Sequence, residues 1–394
     1  MYRLCVYQEN GSMNFQGTDN NMSYFSTNEE MRVSLCTIAY NEESVLNGLF
    51  RDFAQQSYPH DKIEIIMVDN ASTDGTKDMM LEFQNTDYGF ESVKIVDSTN
   101  KNQATAWNEA LMQATGDIII RVDAHSKIPR HFVAKNVFEI SEGEDIVGGG
   151  RPNTTDGMSS WKFTLLAAEE SLFGSSVADY RRAPGQKIYL DSLFHAAYKR
   201  EVFEKVGGFN EDLGRTEDNE LHYRMRMAGY RFCCCPEIIS FQHTRNTLRK
   251  MIKQKYGNGY WIGLTSGVCF KCLNYFHFIP FVFVCAVIFS LLLWAIFGQP
   301  VLFAIIMAMY SMFNLVNTVG CLVLKKPNIK FLALPFIFPT LHISYGIGTM
   351  VGLIKMPFWK RKLDDTSEKR IEMVKEAIKK NTVKPMSDKF FWEE

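Results

Sequence analysis

From Arg32 onward the chain alternates short apolar runs with stretches in which apolar side chains recur every three or four residues. Residues 33–38 form an apolar run of strand length, and 42–55 carries Val45, Leu46, Leu49 and Phe53 at helical spacing. Segment 63–68 reads as a second strand. After it comes Asp69-Asn70-Ala71-Ser72-Thr73-Asp74-Gly75, a turn dense in side chains that cap helices. Helix 77–83, strand 93–96, helix 104–114 and strand 117–122 continue the alternation. Repeated units of this kind predict an α/β fold, a mostly parallel sheet with helices on both faces. Beyond residue 145 the order becomes mixed: helices are expected over 161–173, 201–206 and 217–228, with 189–198 extended.

The pattern changes abruptly after Lys271. The 53 residues between Lys271 and Lys325 contain no Asp, Glu, Lys or Arg. A helix needs about 20 apolar residues to cross a bilayer, so this stretch predicts two, 276–297 and 301–324, split by Gly298-Gln299-Pro300. A third uncharged run covers 331–354. Just upstream, 243–271 holds six Lys or Arg and no acid, with Leu248, Met251, Ile252 and Tyr256 at helical spacing. That composition suits an amphipathic helix lying on an anionic membrane surface. The expected organisation is therefore a polar, disordered extension (1–30), a catalytic domain (31–242), a surface helix (243–271), a membrane region (272–354) and a charged tail (355–394).

Basic residues also orient the chain. Those before Phe276 favour a cytoplasmic catalytic domain in a multi-pass protein of the plasma membrane. Lys325, Lys326 and Lys330 then return inside. A third full span would export Lys355, Lys360, Arg361 and Lys362, so the segment containing Pro335 and Pro339 is expected to re-enter the membrane and leave the C-terminus cytoplasmic. A net charge of −1 argues against a nucleic-acid partner. Nine cysteines, three of them consecutive at 233–235, resemble reduced thiols more than a disulfide framework.

In an open α/β sheet, ligands bind beyond the carboxyl ends of the strands. Three predicted strands end in polar clusters: Ala39-Tyr40-Asn41-Glu42, Asp69-Asn70-Ala71-Ser72 and Arg121-Val122-Asp123-Ala124-His125. One carboxylate there would be an ordinary cap, whereas three on successive strands point into one crevice. Asp123 and His125 can reach a single divalent cation. Two protein ligands suit Mg²⁺ or Mn²⁺ shared with substrate phosphates, and the imidazole tilts the choice towards Mn²⁺. Glu217-Asp218 opens a predicted helix, where acids favour the dipole and where a carboxylate could also serve as general base. No dinucleotide fingerprint or phosphate-binding loop follows any strand.

Taken in order, Ala39-Tyr40-Asn41-Glu42, Val68-Asp69-Asn70-Ala71-Ser72-Thr73-Asp74-Gly75-Thr76, Asp123-Ala124-His125 and Glu217-Asp218-Asn219-Glu220-Leu221 resemble glycosyltransferase family 2. Arg121-Val122-Asp123-Ala124-His125, Gly207-Gly208-Phe209-Asn210, Arg245-Asn246-Thr247-Leu248 and Gln254-Lys255-Tyr256-Gly257 are similar to its succinoglycan-biosynthesis glucosyltransferase-like subgroup. The resemblance implies a GT-A, Rossmann-like fold and inverting transfer of a sugar from a nucleotide-diphosphate donor. By position it implies that Tyr40, Glu42, Asp69 and Asn70 hold the nucleotide and that Lys101 supplies charge beside the phosphates. Asp123 and His125 would hold the metal, with Asp-x-His replacing the usual Asp-x-Asp. Asp218 would be the base, and Glu217, Arg245 and Gln254 would face the acceptor. A membrane anchor beside such a site implies a polyprenyl-linked glycan acceptor in cell-surface or exopolysaccharide synthesis. The rival readings are a processive polysaccharide synthase, which lacks Gln-x-x-Arg-Trp here, and a non-catalytic scaffold, which the intact acids oppose.

Overall fold

The computed structural model describes residues 31–98, 100–154, 159–174, 185–245, 247–325 and 328–381. The expected disordered extension, 1–30, lies outside the described residues, as do Asn246, Lys326 and 382–394. The first half follows the predicted alternation, every bound within one residue: β1 (Val33–Ala39), α1 (Glu43–Ala54), β2 (Ile63–Asp69), α2 (Thr76–Gln84), β3 (Ser92–Asp97), α3 (Gln103–Gln113) and β4 (Ile118–Arg121). Then come β5 (Ser126–Lys127), α4 (Phe132–Ser141), β6 (Ile146–Gly150), β7 (Asn153–Thr154), α5 (Ser160–Glu170), β8 (Ile188–Leu190), β9 (Ala197–Lys199), α6 (Arg200–Val206), α7 (Glu217–Met227), β10 (Phe232–Ile239) and β11 (Phe241–His243).

Eight strands form one sheet in the order β3-β2-β1-β4-β9-β6-β10-β8, and β5-β11-β7 form a small second sheet. Strand β9 is antiparallel to β4 and β6, and β8 is antiparallel to β10. The segment expected to be continuously extended over 189–198 is thus two strands in different places. Residues 233–235, read only for their thiols, lie in β10, whose pairing with β6 is parallel; the three cysteines are fully buried.

Alternate side chains of each strand feed opposite cores, as the pleat requires. Leu35, Ile63 and Ile65 pack with Leu46, Leu49 and Phe53 of α1 and with Phe132 of α4. Cys36, Ile66 and Ile119 pack with Trp107 of α3, Val202 of α6 and Leu221 of α7. The strand order reverses between β1 and β4, so their carboxyl ends open into the crevice that such sheets use for ligands.

The remaining chain forms α8 (Leu248–Thr265), α9 (Ile279–Phe297), α10 (Val301–Leu324), α11 (Leu334–Lys360) and α12 (Thr366–Lys380). Among the described residues, three helical segments are long and apolar enough to cross a membrane: Tyr275–Phe297, Val301–Val323 and Ile329–Lys360. Their surroundings differ: in an 18-residue apolar stretch of each, 39% of the residues are buried inside the protein in the third, against 11% in the others. Along α8, the side expected to meet lipid packs instead on α11. A Cβ at Gly259 would lie 2.1 Å from the Tyr345 carbonyl oxygen, and one at Gly263 would lie 2.6 Å from that of Thr349. Gly348 and Gly352 approach the α8 backbone as closely, giving the small-residue contact that lets helices meet backbone to backbone.

The expected boundary at 354/355 also moves. Lys355 and Lys360 belong to α11, and what was read as a charged tail contains α12, docked on the α/β domain. Val374 and Ile378 join the core beside α3 and α6. Arg370 pairs with Glu109 at 2.6 Å and Glu211 at 3.0 Å, and Arg200 donates to the Ile378 carbonyl at 2.9 Å. Gly207, at φ +76°, lies where a Cβ would come 2.7 Å from the Ile371 carbonyl, so both its backbone angle and its neighbour demand glycine.

Candidate active site

The loops after β1 and β2 are knitted together. Asn41 and Ala71 both take positive φ, +54° and +59°. Asn41 Oδ1 accepts from the Thr73 N–H (2.7 Å), Ser72 Oγ from the Asn41 N–H (3.0 Å) and Thr76 Oγ1 from the Glu42 N–H (2.8 Å). These bonds leave Tyr40 about half exposed at the crevice mouth, with Asp69 and Asn70 buried behind it. Asp69 accepts from the Ser72 N–H, while Asn70 Oδ1 is buried without a hydrogen-bond partner.

Beyond β4, Asp123 is almost enclosed. His195 Nε2 lies 3.3 Å from its Oδ2, Arg121 Nη2 3.6 Å from its Oδ1 and Arg151 Nη1 3.8 Å from its Oδ2. Burial alone would push the Asp123 carboxyl up, but the His195 hydrogen bond and the Arg121 charge hold it well below the usual carboxylate range. His195 is itself buried at φ +52°, between Ser126 Oγ and Ser240 Oγ at 2.9 Å each. Burial lowers its pKa to about 4, so it is a neutral imidazole. His125 sits with Nδ1 3.3 Å from Glu42 Oε1 and Nε2 3.0 Å from the Gln242 amide on β11. Glu42 is therefore beside His125, at the end of the crevice expected for the metal.

Asp218 enters from α7. Its carboxylate is buried and ion-paired with Arg121. Burial and the adjacent Asp218 charge push Glu217 up to about 8, and its Oε2 has no hydrogen-bond partner. The segment leading to these acids is pinned from three sides. Arg224 donates to the Val206 and Gly208 carbonyls (2.5 and 2.6 Å), Asn108 to the Phe209 carbonyl (2.9 Å), and Thr216 Oγ1 bonds Thr265 Oγ1 of α8 (2.5 Å).

Tyr40, Glu42, Asp69, Asn70, Asp123, His125, Glu217 and Asp218 thus gather around the carboxyl ends of β1, β2 and β4. Three expected residues stand further out. Lys101 is exposed in the loop after β3, the sheet's edge strand. Arg245 is half-buried just past β11, where its charge faces Arg215, and Gln254 is half-buried on α8. Residues not singled out beforehand also line the crevice: Arg121, Arg151, His195 and Gln242. Arg121 carried a signal, a lone charge ending the run 118–120, and Arg151 follows three glycines. Nothing local marks His195.

The sheet reverses at β1/β4 and the acids gather at that point, which is where an open α/β sheet binds its ligand. The mannosyltransferase PcManGT of Pyrobaculum calidifontis, solved with GDP-Man and Mn²⁺, aligns with a TM-score of 0.53 and 22% identity over 81% of this chain and 87% of that one. The fold is GT-A. The family model described as glycosyl transferase family 2 matches residues 34–207, so the chain carries a domain of that family from β1 to the end of α6.

Its relatives include the dolichyl N-acetyl-alpha-D-glucosaminyl phosphate 3-beta-D-2,3-diacetamido-2,3-dideoxy-beta-D-glucuronosyltransferase of Methanococcus voltae. Identity with it is 26%, over 82% of this chain and 97% of the relative. The succinoglycan biosynthesis protein ExoA of Rhizobium meliloti is 28% identical over 56% of this chain and 65% of its own length. Beyond this domain, the described residues include helices long and apolar enough to cross a membrane.

Proposed function

We propose that this protein is an inverting glycosyltransferase that moves a hexose-type sugar from a nucleotide-diphosphate donor to a lipid-linked glycan. The observation that carries the reading is the convergence of Asp123, after β4, with Asp218, from α7, on the guanidinium of Arg121, with His125 two residues beyond Asp123. Tyr40, Glu42, Asp69 and Asn70 lie where the nucleotide of such a donor would be held, and the unpartnered Asn70 Oδ1 offers it an acceptor. The donor set also fits a divalent cation. Asp123 stays ionised, and His125 Nδ1 is a buried ring nitrogen without a hydrogen-bond partner. Among the described residues no three His, Cys, Asp or Glu side chains form a site by themselves, so substrate phosphates would complete the shell. Once bound, the cation would neutralise the departing diphosphate. Asp218 would take the proton of the acceptor hydroxyl as its oxygen bonds to the anomeric carbon on the face opposite the leaving diphosphate. That displacement inverts the centre.

A polyprenyl-linked acceptor is supported by the dolichyl phosphate in the Methanococcus relative's name and by the contact of α8 with Thr216, at the start of the helix bearing Asp218. For topology, we read α9 and α10 as a hairpin through the plasma membrane with the catalytic domain cytoplasmic. Segment α11 follows as a helix that does not cross to the far side. Supporting this, Asn328 before α11 bonds Ser160 and Thr164 of α5, and α12 after it docks on the catalytic domain. Both ends of α11 are then on one side.

The test is to incubate membranes containing wild-type or Asp218→Asn protein with a panel of radiolabelled nucleotide sugars. Label should enter the lipid fraction from one donor and fall by about 10²–10⁴-fold in the variant. Full activity in Asp218→Asn would refute the base. Label appearing only in long water-soluble polymer would instead favour a processive synthase.

A further inference from the structure

We propose that Arg121 is a positioning residue with two partners: it fixes the Asp218 carboxylate and competes with a divalent cation for Asp123. The inference rests on the reading of Asp123 as cation ligand and Asp218 as base.

Arg121 is the last residue of β4 and is buried. Nη1 donates to Asp218 Oδ1, and Nη2 lies 3.6 Å from Asp123 Oδ1. Trp107 covers the guanidinium at 4.2 Å, with Phe209 at 5.6 Å. Those two aromatics are held by reciprocal bonds between Asn108 and the Phe209 backbone, 2.9 and 2.7 Å. The cradle therefore orients a planar fork, which a lysine could not replace. Burial opposes the charge, yet the facing acids Asp218, Asp123 and Glu217 outweigh it and raise the Arg121 pKa further, so it is a permanent cation.

Two consequences follow from its place. A carboxylate gripped on one oxygen presents the other in a fixed direction, as a base aimed at an incoming hydroxyl needs. And a cation arriving at Asp123 meets a positive charge already there. Occupancy of the metal site and the hold on Asp218 become one equilibrium, with Arg121 yielding Asp123 and keeping Asp218 when the cation binds.

The measurement is Mn²⁺ binding to purified protein without donor, read from the free-ion paramagnetic resonance signal, alongside steady-state kinetics. Arg121→Met keeps an apolar stem against Trp107 but removes charge and donors. Its Mn²⁺ affinity should rise at least about tenfold, while kcat falls by about 10²-fold and donor KM moves little. Arg121→Lys restores the weak Mn²⁺ affinity but little of kcat.

Asp218→Asn, nearly isosteric, covers the case in which neither variant folds. It frees Arg121 for Asp123 and should weaken Mn²⁺ binding several-fold although Asp218 is not a ligand. A merely structural arginine predicts unchanged Mn²⁺ affinity per folded molecule in Arg121→Met and in Asp218→Asn, and that result would overturn the proposal. Failure of the underlying reading shows elsewhere: Asp123→Ala would then bind Mn²⁺ as tightly as wild type.

Discussion

Glu217 offers a prediction in which the sign and the size both come from the site. Its carboxyl is buried beside Asp218, and its pKa is pushed from 4.5 to about 8. A group raised in the native state binds a proton more tightly there than in the unfolded chain. The stability that proton confers is complete below pH 4.5 and is lost as pH rises towards 8. At about 1.4 kcal/mol per pH unit, the wild-type protein forfeits about 3 kcal/mol between pH 4.5 and 7. By pH 8 the loss is about 4 kcal/mol, an upper figure for a site that can relax. Glu217→Gln keeps the shape of the protonated acid and cannot ionise.

The two proteins should therefore unfold at similar temperatures at pH 5 and separate progressively above it. At about 2–4 °C per kcal/mol for a domain of this size, the variant should unfold about 6–12 °C higher at pH 7. Other buried groups, such as His195 and His222, titrate identically in both and cancel in the difference. Thermal unfolding of detergent-purified protein, followed by tryptophan fluorescence at pH 5, 6, 7 and 8, measures it. A gap that stays constant across that range would refute the protonated state. So would a wild type that outlasts the variant at pH 8.

Excess chelator should abolish sugar transfer and added Mn²⁺ should restore it at least as well as Mg²⁺; unimpaired transfer in chelator would remove the metal from the mechanism. Gly263→Leu must push α8 off α11, since even its Cβ would meet the Leu353 amide at 2.6 Å. It should cost several kcal/mol (about 3 or more) by thermal unfolding, whereas Gly48→Ala, with nothing within 4 Å, should be neutral or stabilising. Arg370→Ala leaves Glu109 and Glu211 facing each other and should lower stability by about 1–3 kcal/mol, discounted for partial exposure, with faster proteolysis after residue 361 as the readout. A cysteine placed at Asn381 should resist an impermeant maleimide in intact cells and react in permeabilised ones; labelling in intact cells would put α12 outside.

What could be read from the chain beforehand, and what could not, divides along a physical line. Local periodicity sufficed for β1 to β4 and their helices because each buries its own apolar face: Leu46, Leu49 and Phe53 are inward as their spacing requires, although Val45 is only half-buried and Phe50 joins the core. The acids of the crevice were legible for a related reason, since strand ends in a parallel sheet converge by topology. Strand β9 was not. Its three residues, Ala197–Lys199, have no period of their own and exist as a strand only because β4 and β6 pair with it.

Helix α12 is the more instructive miss. Ile371, Val374 and Ile378 recur at helical spacing, but Glu372, Lys375 and Glu376 lie among them, and the segment reads as a solvated tail when its average is taken. Averages discard the phase of the pattern, and phase is what docks a helix. Here it returns the chain to the catalytic domain after three apolar helices, sets Arg370 against the Glu211 loop that leads to Asp218, and makes the membrane region's exit part of the active site's scaffold. Arg121 was hidden differently. A single buried cation between two acids looks like an ordinary ion pair until both acids have roles. Only then does its position, shared between Asp123 and the proposed base Asp218, become a statement about mechanism.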